Sequence, residues 1–353
     1  MAVNAPPVAI VILNWNGWRD TIECLETCLK LHYPRFRIIL CDNASTDGSI
    51  DRFADWAAGR VAARPEGSIG NALVEPQVPK PVALDIRASA EVSGGTFDDL
   101  SPVTLIRTGA NLGFAGGNNV GLDFAHRHGA AHFWLLNNDT VADPMALSAL
   151  VARVTDAPAI GLCGSRIAFY DAPRTLQLAG GCSYHPSLGL ARRIAADRPM
   201  DNAPAATEVE ARLGYVSAAS CLVSKAFLEE IGPMTEDYFL YCEEIDWAWR
   251  ARGRFRLGYA PDSVVYHKAG RSAGSKSVGR GRGVTSSYYL WRARRMTVRR
   301  FHSYGLPGLS AMALITSAAL LLRGRPAAAR ATMSGLLGGK AERLAARDGE
   351  PHS

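Results

Sequence analysis

Four polar clusters in this chain hold residue types that can bind a charged ligand and move a proton. In chain order they are Asp42-Asn43-Ala44-Ser45-Thr46-Asp47-Gly48, Asn111-Leu112-Gly113-Phe114-Ala115-Gly116-Gly117-Asn118-Asn119, Asn137-Asn138-Asp139 and Glu243-Glu244-Ile245-Asp246. Hard carboxylate oxygens such as that of Asp139 suit Mg2+ or Mn2+ held together with a diphosphate. A carboxylate set among aromatic residues, as Glu243, Glu244 and Asp246 are, has a raised pKa and can act as a general base. Together the clusters point to a site for a nucleotide and a metal ion.

Each cluster also has a plain structural explanation. Asp42 could make an Asx-turn or cap the next helix; in a binding site it would accept a hydrogen bond from a pyrimidine ring N–H. Asn14-Trp15-Asn16 beside it would add backbone and aromatic contacts to the base. The glycine-rich run from Asn111 to Asn119 precedes a helix, whose N-terminus favours anions. It is not a dinucleotide fingerprint, which follows the first strand; here the first strand ends in Asn14-Trp15-Asn16-Gly17. Gly113, Gly116 and Gly117 are expected to let the backbone approach a ligand. Asp139-Thr140 could serve a turn. The acids from Glu243 to Asp246 could stabilise a helix dipole, but Tyr238, Phe239, Leu240, Tyr241, Trp247 and Trp249 argue against simple solvation. His267 closes an apolar strand, where a neutral imidazole could complete a metal shell.

The intervening sequence must position these residues. Val8–Leu13 and Phe36–Cys41 are apolar runs suited to strands buried on both faces, and Asp20–Leu31 and Ser49–Ala58 have a helical period. This β-α-β-α start predicts an α/β fold with a mainly parallel central sheet. Such sheets bind ligands at their carboxyl edge, where the first and third clusters fall. Residues 59–102 are proline- and glycine-rich and predict an insertion, partly looped, with a short hairpin. Strands are then expected over Val103–Arg107, Ala131–Leu136, Ile160–Tyr170, Gly214–Ser224, Phe255–Ala260 and Ser263–His267. Helices are expected over Ala115–His128, from an Asp143 cap and Pro144 to Val154, over Lys225–Ile231 and over Glu243–Arg252.

The 353 residues, 48% hydrophobic, are enough for a sizeable core and exclude wholesale disorder. Seven cysteines without a CxxC pair predict a reducing compartment, and no secretory leader is expected at the N-terminus. Net charge is +6, yet 263–341 hold fourteen Lys and Arg and no acid, which leaves −8 on the rest. That asymmetry suits anionic lipid, a diphosphate or nucleic acid. No nucleic-acid partner is expected, because the arginines flank an apolar run and no recognition module is present.

Several strings resemble the inverting family 2 glycosyltransferases of the GT-A fold, and among them the bacterial rhamnosyltransferase-like branch. They are Val11 to Gly17, Cys41 to Gly48, Asn111 to Asn119, Leu135 to Asp139, Phe239 to Arg250 and Val265-Tyr266-His267. The resemblance implies a GT-A (nucleotide-diphospho-sugar transferase) catalytic domain over 1–270. It implies a metal-dependent hexosyl transfer from a nucleoside-diphosphate sugar to a hydroxyl of a glycan or lipid-linked acceptor, in cell-surface polysaccharide synthesis. The branch favours dTDP-L-rhamnose as donor. The nucleotide would be held by Asn14, Trp15, Asn16, Asp42, Asn111, Gly113, Gly116, Asn119 and Asn138. Asp139, ending the DxD-like motif, and His267 would hold Mg2+ or Mn2+. The family has Glu-Asp-x-Asp where this chain has Glu243-Glu244-Ile245-Asp246, so Glu244 takes the place of the catalytic base, one methylene longer. Asp246 would orient the base or the acceptor. The alternative is a non-catalytic nucleotide-sugar-binding or scaffold protein of the same fold.

Residues 271–353 are expected to form a helical, basic, amphipathic extension. Leu306–Leu322 is a charge-free run flanked by Arg299, Arg300, Arg323 and Arg325. It is read as a helix lying in a membrane interface, packed on the catalytic domain, or meeting a second copy in a homodimer. A full span is disfavoured by its length. The expected location is the cytoplasm, peripheral on the inner face of the plasma membrane.

Overall fold

A computed structural model describes residues 5–88, 95–268 and 283–339. The chain opens with strand β1 (Val8–Asn14), helix α1 (Trp18–Cys28), strand β2 (Phe36–Asp42) and helix α2 (Ser49–Ala57). It continues through α3 (Gly67–Val74), β3 (Leu84–Ala88), β4 (Val103–Arg107), α4 (Gly113–Arg127), β5 (His132–Asn137), β6 (Thr140–Ala142) and α5 (Ala146–Asp156). Then come β7 (Ile160–Phe169), β8 (Leu176–Ala179), β9 (Gly181–His185), β10 (Leu190–Arg193), α6 (Ala206–Glu210) and β11 (Tyr215–Val216). β12 (Ser220–Ser224), α7 (Lys225–Ile231), α8 (Glu243–Arg250) and β13 (Arg256–His267) follow. The last elements are α9 (Val284–Phe301), α10 (Leu306–Leu322) and α11 (Pro326–Leu337).

The central sheet has ten strands in the order β3-β4-β2-β1-β5-β12-β7-β13-β6, with β8 on β7. The ladder from β3 to β5 is wholly parallel. Its carboxyl ends therefore share one edge, where open α/β sheets take their ligands. β12 runs antiparallel between β5 and β7, and β13 runs parallel to β7 but antiparallel to β6. Apolar residues cover both faces, as the unbroken β1 run requires. Val8, Ile10 and Ile12 enter one core with residues of α1, α2 and α5, while Ala9 and Val11 enter the other with residues of α4, α7 and α8. All five are fully buried, each large aliphatic contributing roughly 1.5–3 kcal/mol.

Several boundaries differ from the sequence expectation. The 59–102 insertion makes no hairpin among its described residues; it gives α3 and the parallel edge strand β3, which pairs with β4 from Leu84–Val103 onward. Buried Glu26 ties the insertion down, accepting from Val78 N at 2.7 Å, Lys80 Nζ at 2.7 Å and Trp56 Nε1 at 2.7 Å. Asp143 does not cap α5. Its carboxylate accepts from Met145 N at 2.9 Å in a turn that holds Pro144, and the helix starts at Ala146. The run 214–224 is broken by a turn into β11 and β12, whereas the two short strands expected over 255–267 are one strand with a bulge between Ala260 and Val264.

Within the extension, α9 buries Trp291 and Val298 against Leu309 and Ala313 of α10 and Leu336 of α11. As the charge-free run requires, the seventeen residues of α10 include no charge on any face. The basic residues Arg271, Lys276, Arg280, Arg282 and Lys340 lie outside the described residues.

Candidate active site

Strand register assembles the first and third clusters around Asn14. Asn14 pairs with Asp42 on one side, and Leu13 pairs with Asn137 on the other. Asn14 Nδ2 donates to Asp42 Oδ1 at 2.8 Å and to Ser45 Oγ at 3.0 Å. Thr21 Oγ1 donates to Asn14 Oδ1 at 2.8 Å and accepts from Asn138 Nδ2 at 3.0 Å. Asp42 is 1% exposed and its Oδ2 accepts from Ser45 N at 3.1 Å. Both carboxylate oxygens keep further lone pairs for a ligand donor. Asn16 stands in the left-handed region at φ 51° and accepts from Thr46 N at 2.7 Å, while Trp15 is partly exposed beside it.

Asn43 joins this floor to the second cluster. Its Nδ2 donates to Asn111 Oδ1 at 3.0 Å and to the Gly113 carbonyl at 3.1 Å, and its Oδ1 accepts from Leu112 N at 3.0 Å. The glycines here make room for protein atoms rather than for a ligand. A Cβ on Gly113 would collide with the Phe239 carbonyl, on Gly116 with Leu112, and on Gly117 with Leu13. Phe114 N donates to the same Phe239 carbonyl at 2.9 Å. Asn119 likewise braces the chain ahead of the fourth cluster, bonding the Met234 backbone at both ends of its amide and Glu236 Oε1 at 2.9 Å.

Strained backbone delivers the fourth cluster. Phe239, Tyr241 and Cys242 all have positive φ, at 64°, 72° and 68°. Such conformations in non-glycine residues are held in place only by surrounding structure. Behind them the three acids of α8 go to three environments. Glu243 is 1% exposed, and its Oε1 has no hydrogen-bond partner among the described residues. Burial, with the neighbouring Glu244 charge added, pushes its pKa well up. Glu244 is partly exposed and its pKa is also raised by burial. Glu244 differs from Glu243 in being the one of the two with solvent access. Asp246 is fully buried and saturated. Its Oδ1 accepts from Thr235 Oγ1 at 2.8 Å and Arg250 Nε at 2.8 Å, and its Oδ2 from Tyr238 OH at 3.0 Å and Arg300 Nη1 at 2.8 Å. These four bonds anchor α8 through Asp246.

Glu244 opens into a cavity of about 730 Å³ walled by β9, β10, α8 and α9 and ringed by Arg192, Arg193, Arg198, Arg212 and Arg294. On its other side Glu244 Oε1 approaches Ala218 N at 3.5 Å. The next residue, Ala219, accepts the Asn137 amide at 3.1 Å. The Ala218-Ala219 backbone thus lies between the carboxylate and the end of β5 at Asn137.

The antiparallel β6–β13 pairing sets His267 opposite Thr140, which places it beside Asp139. His267 Nε2 lies 3.1 Å from Asp139 Oδ1, and Nδ1 lies 2.7 Å from Gln177 Oε1. Burial opposes a charge on the ring, but the Asp139 carboxylate outweighs it and the His267 pKa is raised. Among the described residues no three His, Cys, Asp or Glu side chains gather as a metal shell. Asp139 and His267 are thus a pair of adjacent side chains, one with a carboxylate oxygen and one with an imidazole nitrogen turned toward the other. Gln177 and Thr21 lie in none of the four clusters, and a single sequence offers no spacing that marks them, whereas Asn43 and Ser45 lie in the first cluster with no role assigned to them there.

The fold has counterparts among solved structures. The solved structure of the mannosyltransferase PcManGT from Pyrobaculum calidifontis, in complex with GDP-Man and Mn2+, is similar over 99% of this chain and 78% of its own, with TM-score 0.50 and 16% identity. The chain has the GT-A fold, a largely parallel central sheet flanked by helices. Residues 1–349 of S. aureus TarS are similar at TM-score 0.49 and 10% identity, over 96% of this chain and 82% of that one. GalNAc-T7 with UDP, GalNAc and Mn2+ gives TM-score 0.49 and 13% identity, over 75% of this chain and 44% of that one. No curated protein sequence is significantly similar to this chain. The family described as glycosyl transferase family 2 matches residues 90–199, which include the second and third clusters. That match covers 110 of the 353 residues.

Proposed function

We propose that the protein is an inverting glycosyltransferase that moves a sugar from a nucleoside-diphosphate sugar to an acceptor hydroxyl. The placement of Glu244 carries this reading: an ionisable carboxylate, its pKa raised by burial, faces a cavity on one side and the Ala218-Ala219 backbone at the end of β5 on the other. The donor nucleotide would lie over Asn14, Asp42 and Asn138, with the diphosphate toward Asp139. The acceptor would occupy the cavity, where the arginine ring favours an anionic molecule such as a phosphate-bearing glycan or lipid-linked glycan.

In the reaction Glu244 takes the proton of the acceptor hydroxyl. That oxygen forms a bond to the anomeric carbon from the face opposite the nucleotide. The bond from that carbon to the diphosphate oxygen breaks, its electrons leave with the nucleoside diphosphate, and the anomeric configuration inverts. Asp139 and His267 fit a divalent ion, since Gln177 fixes the imidazole with Nε2 toward the carboxylate. Mg2+ or Mn2+ bound there would neutralise charge on the leaving diphosphate.

The test is a donor panel of UDP-, GDP- and dTDP-sugars, dTDP-L-rhamnose included, with purified protein and either cation. Released nucleoside diphosphate is measured. Release that needs Glu244 but not the fold-anchoring charge of Asp246 supports the reading. Binding of no nucleotide sugar, or full release by Glu244→Gln, would sink it.

A further inference from the structure

Helix α10 turns its apolar side outward. The face packed on α9 and α11 contains Leu309, Ala313 and Ser317, and Ser317 Oγ reaches the Ala329 carbonyl at 3.5 Å. The opposite face carries Leu314, Ile315, Leu321 and Leu322, exposed at 59%, 62%, 57% and 90%. With exposed Ala311 and Ala318 these positions recur every three or four residues and form one stripe along the helix. A surface helix in water has the reverse polarity, so the stripe calls for a partner.

Charge selects the partner. Residues 283–339 contain eight Arg and no Asp or Glu, and Arg299 and Arg323 are exposed at the ends of α9 and α10. An apolar stripe among arginines complements an anionic bilayer, whose phosphates meet the guanidinium groups while its acyl boundary takes the leucines. The helical run Ser303–Leu322, twenty residues long, is also apolar enough to cross a membrane by length and composition, with mean hydropathy 1.8 over an 18-residue window. A spanning α10 would carry its packing partners into the bilayer, yet it buries Leu309 and Ala313 against α9, which holds five Arg, and against α11, which at twelve residues is too short to span. We propose that α10 lies flat in the interface of an anionic membrane and holds the protein there through Leu314, Ile315, Leu321 and Leu322. The start of α10 seats on the β9–β10 turn, where a Cβ on Gly305 or Gly308 would collide with Pro186 or Ser187. The hairpin that walls the arginine cavity is thus fixed to the membrane-facing helix. This inference is independent of the transfer reaction.

The experiment uses the full chain with vesicles of phosphatidylcholine alone or mixed with phosphatidylglycerol, at low and high salt. The wild type is compared with Leu321→Gln/Leu322→Gln and Leu314→Gln/Ile315→Gln. All four residues are exposed, so the fold is kept and circular dichroism verifies it. Co-sedimentation of the wild type with anionic vesicles, weaker at high salt and reduced at least tenfold in either double variant, is the expected result. Equal binding by wild type and variants would overturn the proposal, as would no preference for anionic lipid. So would a dimer in analytical ultracentrifugation that the substitutions break while the wild type ignores vesicles, since the stripe would then belong to a second copy.

Discussion

Arg300, in the last turn of α9, sets Nη1 2.8 Å from Oδ2 of Asp246, the last acid of the fourth cluster. The C-terminal helices are therefore joined to the candidate base through a buried carboxylate that already has three other donors. Removing that charge leaves Arg250 and Arg300 without their partner. Asp246→Asn is expected to lower stability by about 3 kcal/mol, the usual scale for breaking a buried pair from one side. Urea denaturation measures it. An unchanged denaturation midpoint with lost turnover would mean that Asp246 works on the acceptor after all.

Glu244→Gln should behave in the opposite way. The amide keeps the shape but cannot take a proton, so donor binding and melting temperature should hold while the transfer rate falls roughly 10²–10⁴-fold. Glu244→Asp withdraws the carboxylate by one methylene and should retain part of the rate. Single-turnover kinetics with saturating donor distinguish the two. A Gln variant within threefold or so of wild type would remove Glu244 from the base role, given the size of a lost general base.

Glu243 makes a prediction in pH. Its folded pKa is raised above the unfolded value, so the native state binds the extra proton. Native stability associated with this group is complete below the ordinary carboxylate range and declines as pH rises toward the raised pKa. Glu243→Gln cannot lose that proton. Relative to wild type it should gain stability as pH increases from the ordinary carboxylate range, and the gap should narrow on acidification. Parallel melting curves across pH test the sign, and a pH-independent gap would mean that Glu243 is ionised in the fold.

The metal assignment rests on Asp139, His267 and the amide that orients the ring. Asp139→Asn should weaken Mn2+-dependent donor binding, and His267→Gln should raise the cation concentration required. Gln177→Ala replaces neither ligand, yet loss of a supporting bond to a ligating histidine typically costs 10–100-fold in metal affinity. Titration of Mn2+ by electron paramagnetic resonance, in the presence of nucleoside diphosphate, reads all three. Full turnover in excess chelator would contradict the assignment.

The parts of the fold legible in the sequence are those where one physical demand dominates. β1, β2 and β4 are buried on both faces, so a bare apolar run marks them to within a residue. The amphipathic α7 was likewise bounded correctly by Ser224, which caps it through Phe227 N at 3.2 Å. The antiparallel elements from β8 to β10 carry no such mark. β10 is Leu190-Ala191-Arg192-Arg193, mostly exposed, and only its pairing with β9 makes it a strand. Among the site residues, Asp139 and His267 were legible as types, but their contact depends on the β6–β13 pairing 128 residues apart. In the sequence the glycines of the second cluster read as room for a ligand. What approaches them is the protein's own Phe239, Leu112 and Leu13, which spacing alone does not reveal.

The amides at the sheet edge are bonded to one another before any ligand arrives. Asn14, Thr21, Asn138, Asp42 and Ser45 form one connected set, and Asn43 extends a second toward Asn111 and Gly113. Their rotamers are fixed by folding, so the entropy loss of ordering them falls on folding and not on association. A rigid floor of this kind ties recognition to the integrity of the sheet. Drift in these positions would show first as a protein that melts earlier, and only later as one that binds its nucleotide less well.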